Sequence, residues 1–147
     1  MALHPSRAYA ALGARYAGAL QVMNTSSGEV ALAQVPFPFE PNYGVTEGPR
    51  GPAFVNLDAT RLGYVDVAAT NAAIYTLYSG KSRETHGNKA SLGEFLHVFD
   101  WNGVLLSAHQ LDAPAVSITV DPSGHQLFAL RHEPLPAVLR YGLKAAR

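Results

Sequence analysis

The sequence predicts an all-β chain of antiparallel four-stranded sheets repeated along an axis, the blades of a β-propeller, with about two and a half blades present. Three observations predict it. Apolar strand, turn and apolar strand recur between Gly63 and Leu143: Ile74-Tyr75-Thr76-Leu77-Tyr78 is answered by Leu127-Phe128-Ala129-Leu130-Arg131, and Phe95-Leu96-His97-Val98-Phe99 by Ala137-Val138-Leu139-Arg140-Tyr141. The paired strands are apolar on both faces, as Phe95, Phe99 and Leu96, Val98 show, so each sheet needs cover from two sides. Turn residues punctuate the repeat, with Asn102-Gly103 and Pro122-Ser123-Gly124 each set between apolar runs.

The first repeat is the least regular. Ala8 to Leu20 is alanine-rich enough for a helix, but Gly13 and Gly18 each weaken one by about 1 kcal/mol relative to Ala. His4-Pro5-Ser6 also precedes it as Asp121-Pro122-Ser123 precedes His125-Gln126-Leu127-Phe128. Two strands are therefore predicted, the second over Ala19 to Met23, then a turn at Asn24-Thr25-Ser26-Ser27-Gly28 and a third strand over Glu29 to Val35. Asn24-Thr25-Ser26 also has the form of a glycosylation acceptor, which the turn explains without a glycan.

Residues 36–61 form a Pro/Gly-rich segment: Pro36, Pro38, Pro41, Gly44, Gly48, Pro49, Gly51 and Pro52. Each proline fixes φ and removes an amide donor, so a long connecting loop without ladder strands is expected. Gly63 to Val67 and Val116 to Val120 then open the second and third repeats with the same alternation. Tyr64 and Asp66, like Ser117 and Thr119, face one way, and Val65 and Val67, like Ile118 and Val120, the other. Asn71 falls in the slot of Gly124, where positive φ closes a tight turn, and Arg7 holds that slot in the first repeat. A polar insertion runs from Gly80 to Lys89 before Phe95 to Phe99. Asn102-Gly103 then predicts a type I′ hairpin leading into a strand over Val104 to Leu111.

Naming the strands of a unit a to d, the chain divides into an incomplete blade (1–35) lacking strand a, the Pro/Gly-rich loop (36–61), a complete blade (62–112), and a last blade (113–147) lacking its outer strand. The runs Ile74 to Gly80, Leu96 to Gly103 and Val120 to Gly124 resemble the TolB-like six-bladed propeller families of bacterial envelope proteins. The resemblance covers Gly63 to Leu143 well and Leu3 to Val35 loosely. It implies an extracytoplasmic, often lipid-anchored protein with no assigned catalysis, and the chain lacks the lipobox cysteine of such proteins. On this reading the chain is the C-terminal half of a six-bladed ring, with Arg147 a natural end and Met1 an interruption. Strands at the open ends, carrying Ala10, Leu12, Leu127, Leu130 and Leu139, would lose cover, and the expected partners are missing blades or a second copy meeting these faces.

Composition excludes several function classes. At 147 residues, 48% hydrophobic and 15% charged, the chain has the size of one domain with material for a core. Eleven basic residues balance 11 acidic ones, so no global field draws it to nucleic acid or an anionic membrane. No apolar run approaches the roughly 18 residues of a spanning helix, and Ala8 to Met23, interrupted by Gly13, Arg15 and Gly18, does not read as a targeting segment. With no cysteine there is no disulfide, thiolate metal site or thiol nucleophile.

Antiparallel order puts the b–c and d–a connections on one rim, and both unusual loops are of that kind. A ligand site is expected there. Its candidate residues are Glu40, Asn42, Tyr43, Glu47 and Arg50 in the first loop and Lys81, Arg83, Glu84, His86 and Asn88 in the second, and the ligand, protein or small molecule, is unidentified. His97 alternates with Phe95 and Phe99 and reads as a hydrogen-bonded core histidine. His86, His109, His125 and His132 lack metal-ligand spacing, Asp112 and Asp121 sit at turns, and nucleophile-elbow and phosphate-loop motifs are missing, so no catalytic residue, metal or cofactor is assigned. The leading expectation is a non-enzymatic binding or scaffolding module. The alternative is a lactonase-like hydrolase holding a divalent cation at the channel mouth, with Asp66 and Asn42 as its best ligands.

Overall fold

The computed structural model describes residues 1–143. Arg147, read above as a natural end, lies outside them. Three sheets carry the fold, and the strand order of each is the order of the chain, a simple meander. The first comprises β1 (Ala2–Leu3), β2 (Tyr9–Gly13), β3 (Leu20–Asn24) and β4 (Val30–Leu32). A separate hairpin, β5 (Tyr43–Gly48) and β6 (Gly51–Asn56), follows. The second sheet comprises β7 (Tyr64–Ala69), β8 (Ile74–Tyr78), β9 (Gly93–Phe99) and β10 (Leu105–Ala115), with a short helix α1 (Arg83–His86) and a 3₁₀ turn (Gly87–Ser91) between β8 and β9. The third comprises β11 (Ser117–Val120), β12 (Gln126–Arg131) and β13 (Ala137–Gly142).

The second sheet is the filling of a sandwich. One of its faces, with Tyr64, Val67, Ile74, Tyr78 and Phe99, packs on Ala11, Leu20 and Val22 of the first sheet. The other, with Tyr75, Leu77, Leu96, Val98 and Leu111, packs on Ile118, Leu127 and Ala129 of the third. Every residue of β8 is buried for that reason. Each large apolar side chain removed from water here contributes about 1.5–3 kcal/mol, which is why strands b and c of this sheet carry no polar face. Radial stacking of meandering four-stranded sheets is the propeller arrangement, and the ring is left open after three.

The structure corrects four sequence expectations. The first sheet does not lack strand a: Leu3 pairs with Ala10 and Ala2 with Ala11, a strand too short to show a period. Residues 36–61 are not without strands, since Tyr43 pairs with Asn56 and the ladder continues to Gly48 opposite Gly51. The prolines permit this because Pro36, Pro38 and Pro41 precede the hairpin, Pro49 lies in its turn, and a two-stranded ribbon leaves each strand a free edge on which Pro52 need not donate. The alternation of β7 also slips. A register shift between Tyr64 and Asp66 puts Tyr64 and Val67 together against the first sheet, and Val65 against the third.

The turns are the fourth correction. Positive φ falls on Gly103 (80°), Gly124 (73°) and Arg7 (62°), and not on Asn71 or Asn102. The Asn102-Gly103 turn is therefore not type I′. Gly103 N–H donates to the Asp100 carbonyl, Asp100 N–H to that of Val104, and the Asp100 carboxylate accepts from the amides of Asn102 and Val104. The Asp121-Pro122-Ser123-Gly124 and His4-Pro5-Ser6-Arg7 turns repeat the first of these backbone bonds, but there Asp121 N–H and His4 N–H donate one residue further along, to the Gln126 and Tyr9 carbonyls. At Asn71 the turn is held instead by the Thr70 hydroxyl, which accepts from the amides of Ala72 and Ala73.

Candidate functional site

The rim formed by the b–c and d–a connections is built by close backbone approach. Gly63 N–H donates to the Arg15 carbonyl (2.7 Å) and Tyr64 N–H to that of Ala14 (3.0 Å), pinning the β2–β3 loop to the start of β7. No side chain fits at Gly63, where a Cβ would fall 2.0 Å from the Ala17 carbonyl oxygen. Leu62 N–H donates to Lys81, Gly80 N–H to Leu62 and Glu84 N–H to Asp58, each at 2.8 Å, so the β8–β9 loop joins the segment after β6. Three connections from two sheets thus meet at one place.

Where they meet lies a cleft of about 100 Å³ lined by Arg15, Tyr16, Asn56, Leu57, Asp58, Thr60, Leu62 and Arg83. Two guanidinium groups flank it from different sheets, and among the described residues neither has a carboxylate partner within salt-bridge distance. Arg61 beside it is spent on structure: it donates to the Gly80 carbonyl (3.2 Å) and lies 4.5 Å over the Phe39 ring. More open depressions lie along the same rim between the second and third sheets, one lined by Asn88, Lys89, His132 and Glu133.

Of the residues predicted from sequence, Arg83 lines the cleft and Asn88 the neighbouring depression. Lys81 is paired with Glu94. Glu84 contributes only its backbone amide to the cleft wall, and the His86 ring bonds the Thr85 hydroxyl. Glu40 and Asn42 are exposed ahead of β5, and the Asn42 carbonyl accepts the Thr60 hydroxyl. Tyr43 stands at the base of the hairpin, edge-on to Phe54 (4.9 Å), whereas Glu47 and Arg50 lie at its tip, roughly 13 Å or more further out at about 3.3 Å per residue. Sequence reasoning missed Arg15, Tyr16, Asp58 and Thr60. The rule that places b–c loops on this rim applies to Arg15-Tyr16 as well, and was the signal available.

Two further polar groups are structural. Asp66 Oδ2 accepts from Ser117 Oγ (2.6 Å) and the Ile118 amide (2.8 Å), tying the second sheet to the third, while its Oδ1 accepts from the Val67 amide of its own strand (2.8 Å). Among the described residues no group of three or more His, Asp or Glu side chains is placed to hold a metal ion. His97 is 1% exposed, stacked on Tyr78 at 5.1 Å, and its Nδ1 lies 3.3 Å from the Tyr64 hydroxyl while Nε2 has no partner among the described residues. Burial lowers the His97 pKa to about 4 and raises that of Tyr64.

Stacked meanders with their irregular loops gathered on one rim define a β-propeller protein. The chain matches the family model described as TolB-like 6-blade propeller-like over residues 3–123, and it belongs to that family. Among solved structures it is similar to the β-propeller domain of Myceliophteria thermophila Cps50 (Swd1), with 13% identity and a TM-score of 0.42 over 98% of this chain and 51% of that one. It is also similar to the Neurospora crassa Pan2 WD40 domain, with 15% identity and a TM-score of 0.34 over 88% of this chain and 48% of that one. The chain thus spans about half the length of each. Comparison with curated protein sequences finds no match. No helix of the described residues is long and apolar enough to cross a membrane.

Proposed function

We propose that the chain is a non-enzymatic binding module whose rim cleft takes a carboxylate side chain of a protein ligand. The carrying observation is the approach of Arg15 and Arg83, from loops of separate sheets, to one cleft in which, among the described residues, neither is neutralised by a salt bridge. A guanidinium matches a carboxylate through two parallel hydrogen bonds. A volume of about 100 Å³ suits a side-chain headgroup, well short of the roughly 300–1,000 Å³ of pockets that enclose a whole small molecule. Asp58 also lines the cleft, but one carboxylate against two guanidinium groups leaves it net positive and still favours an anion.

Fluorescence anisotropy with a labelled Glu-rich peptide, against its Gln-rich counterpart, tests this. The Glu peptide is expected to bind and the Gln peptide not. Arg83→Ala and Arg15→Ala, both at exposed positions, should each weaken binding roughly tenfold or more. Equal binding of the two peptides, or binding that neither substitution changes, overturns the reading.

A further inference from the structure

We infer that two copies of this chain stack end to end, the third sheet of each on the first sheet of the other, and close a ring of six blades. The inference is independent of the cleft and rests on the repeat and the two outer sheet faces.

Inside the chain the same stacking occurs twice in the same sense. The face that the second sheet turns to the third includes Tyr75, Leu77, Leu96 and Val98, exposed by 4%, 0%, 1% and 4%. The repeat register puts Phe128, Leu130, Val138 and Arg140 of the third sheet in those places. There no further sheet of the described residues covers them: Leu130 is 40% and Val138 67% exposed, and with Ser117, Thr119 and Phe128 they line an apolar groove. By contrast Leu127, expected above to lose cover, is fully buried because it faces the second sheet, as Ile74 in the same place of the repeat faces the first.

The opposite end is complementary. The outer face of the first sheet carries Leu3, Ala10, Leu12, Gln21, Met23, Val30 and Leu32, aligned across the sheet by the pairs Leu3 with Ala10, Leu12 with Gln21 and Met23 with Val30. Leu3 and Val30 are half exposed and Leu32 is 71% exposed, while Ala10 is shielded by its own neighbours. This is the face by which the second and third sheets receive the sheet before them. Continuing the observed stacking therefore sets Leu130 and Val138 of one copy on Leu3, Leu12 and Met23 of the other. Polar groups are complementary as well: Arg140 on the outer face of the third sheet and Gln21 on the outer face of the first put a guanidinium donor and an amide acceptor on the two faces that come together. The family's ring has six blades and the described residues hold three sheets of the blade type, so two copies complete it.

Light scattering on the purified chain during size-exclusion chromatography reads the outcome. The expected mass is 31.4 kDa, twice the 15.7 kDa of one chain, with no larger species. Val138→Glu, on an exposed side chain, should raise the dimer dissociation constant roughly hundredfold or more while leaving the far-ultraviolet circular dichroism unchanged. The chain has no cysteine, so single-cysteine variants report orientation. A short bismaleimide should join Gln21→Cys to Val138→Cys in a mixture and should not join either variant to itself. A 15.7 kDa monomer at tens of micromolar, whose faces would then belong to other blades, overturns the inference, as do open-ended oligomers or self-joining of Val138→Cys.

Discussion

The buried imidazole of His97 sets a testable pH dependence. An ordinary histidine protonates near 6.5, whereas this one stays neutral to about 4 because burial opposes its charge. Between those values the unfolded chain binds a proton that the folded chain does not, so stability is fully present above about 6.5 and is lost as pH falls toward 4. The full effect is on the order of 3 kcal/mol at about 1.4 kcal/mol per unit. Urea unfolding from pH 7 to 4 should show this loss, and His97→Leu, which copies Leu139 of the next repeat, should flatten that part of the profile. A variant with the parent's full slope would mean that other groups carry it. Alternation with Phe95 and Phe99 made His97 readable as a core residue; its unpartnered Nε2 depends on Phe37 and Tyr78 closing over the ring, which no local pattern shows. At the turns, Gly103 combines positive φ with a neighbour that a Cβ would meet, Ala33 Cα at 2.9 Å, whereas Gly28 has positive φ and open space. Gly103→Val should cost about 1–3 kcal/mol, several degrees of melting temperature, and Gly28→Val clearly less. Equal shifts would show that the packing against Ala33 is immaterial.

Among elements, β7 was expected as a strand but with a different division of its faces. Val65 and Val67 look like partners on one face, but the slip at Asp66 separates them, and the same residue bonds Ser117 and Ile118 of the next sheet. A bulge that aims a carboxylate across a blade boundary is set by a partner 51 and 52 residues away, beyond any periodicity. Asp66→Ala leaves those donors unpaired and should lower stability by about 2 kcal/mol in thermal or urea unfolding. A melt within a degree of the parent would mean that water takes over the bonds. Strands whose both faces are apolar, β8 and β9, were legible because burial on two sides leaves an unbroken apolar run. The β5–β6 hairpin was not, because its glycines and prolines read as loop and only a ladder of pairs reveals it. Of the residues lining the cleft the sequence singled out Arg83 alone, which sits in a conspicuous polar insertion, while Arg15 and Tyr16 look like an interruption between two alanine-rich strands.

For the whole molecule the central claim is a radial stack in which the second sheet is covered on both faces, the outer sheets on one within the chain, and the β5–β6 hairpin on neither. Its exposed Val45 and Phe54 show how little covers that hairpin, and a lone two-stranded ribbon is marginally stable in water. Cover of this kind sets the free energy of local opening, so amide exchange should be graded along the chain. Hydrogen–deuterium exchange resolved to single strands is the direct measurement. The account expects the amides of β8 and β9 to exchange slowest, those of β3 and β12 no slower than these, and those of β5 and β6 within the shortest labelling times. Exchange of β8 and β9 as fast as the hairpin, or a hairpin protected as strongly as β8, would contradict the stack.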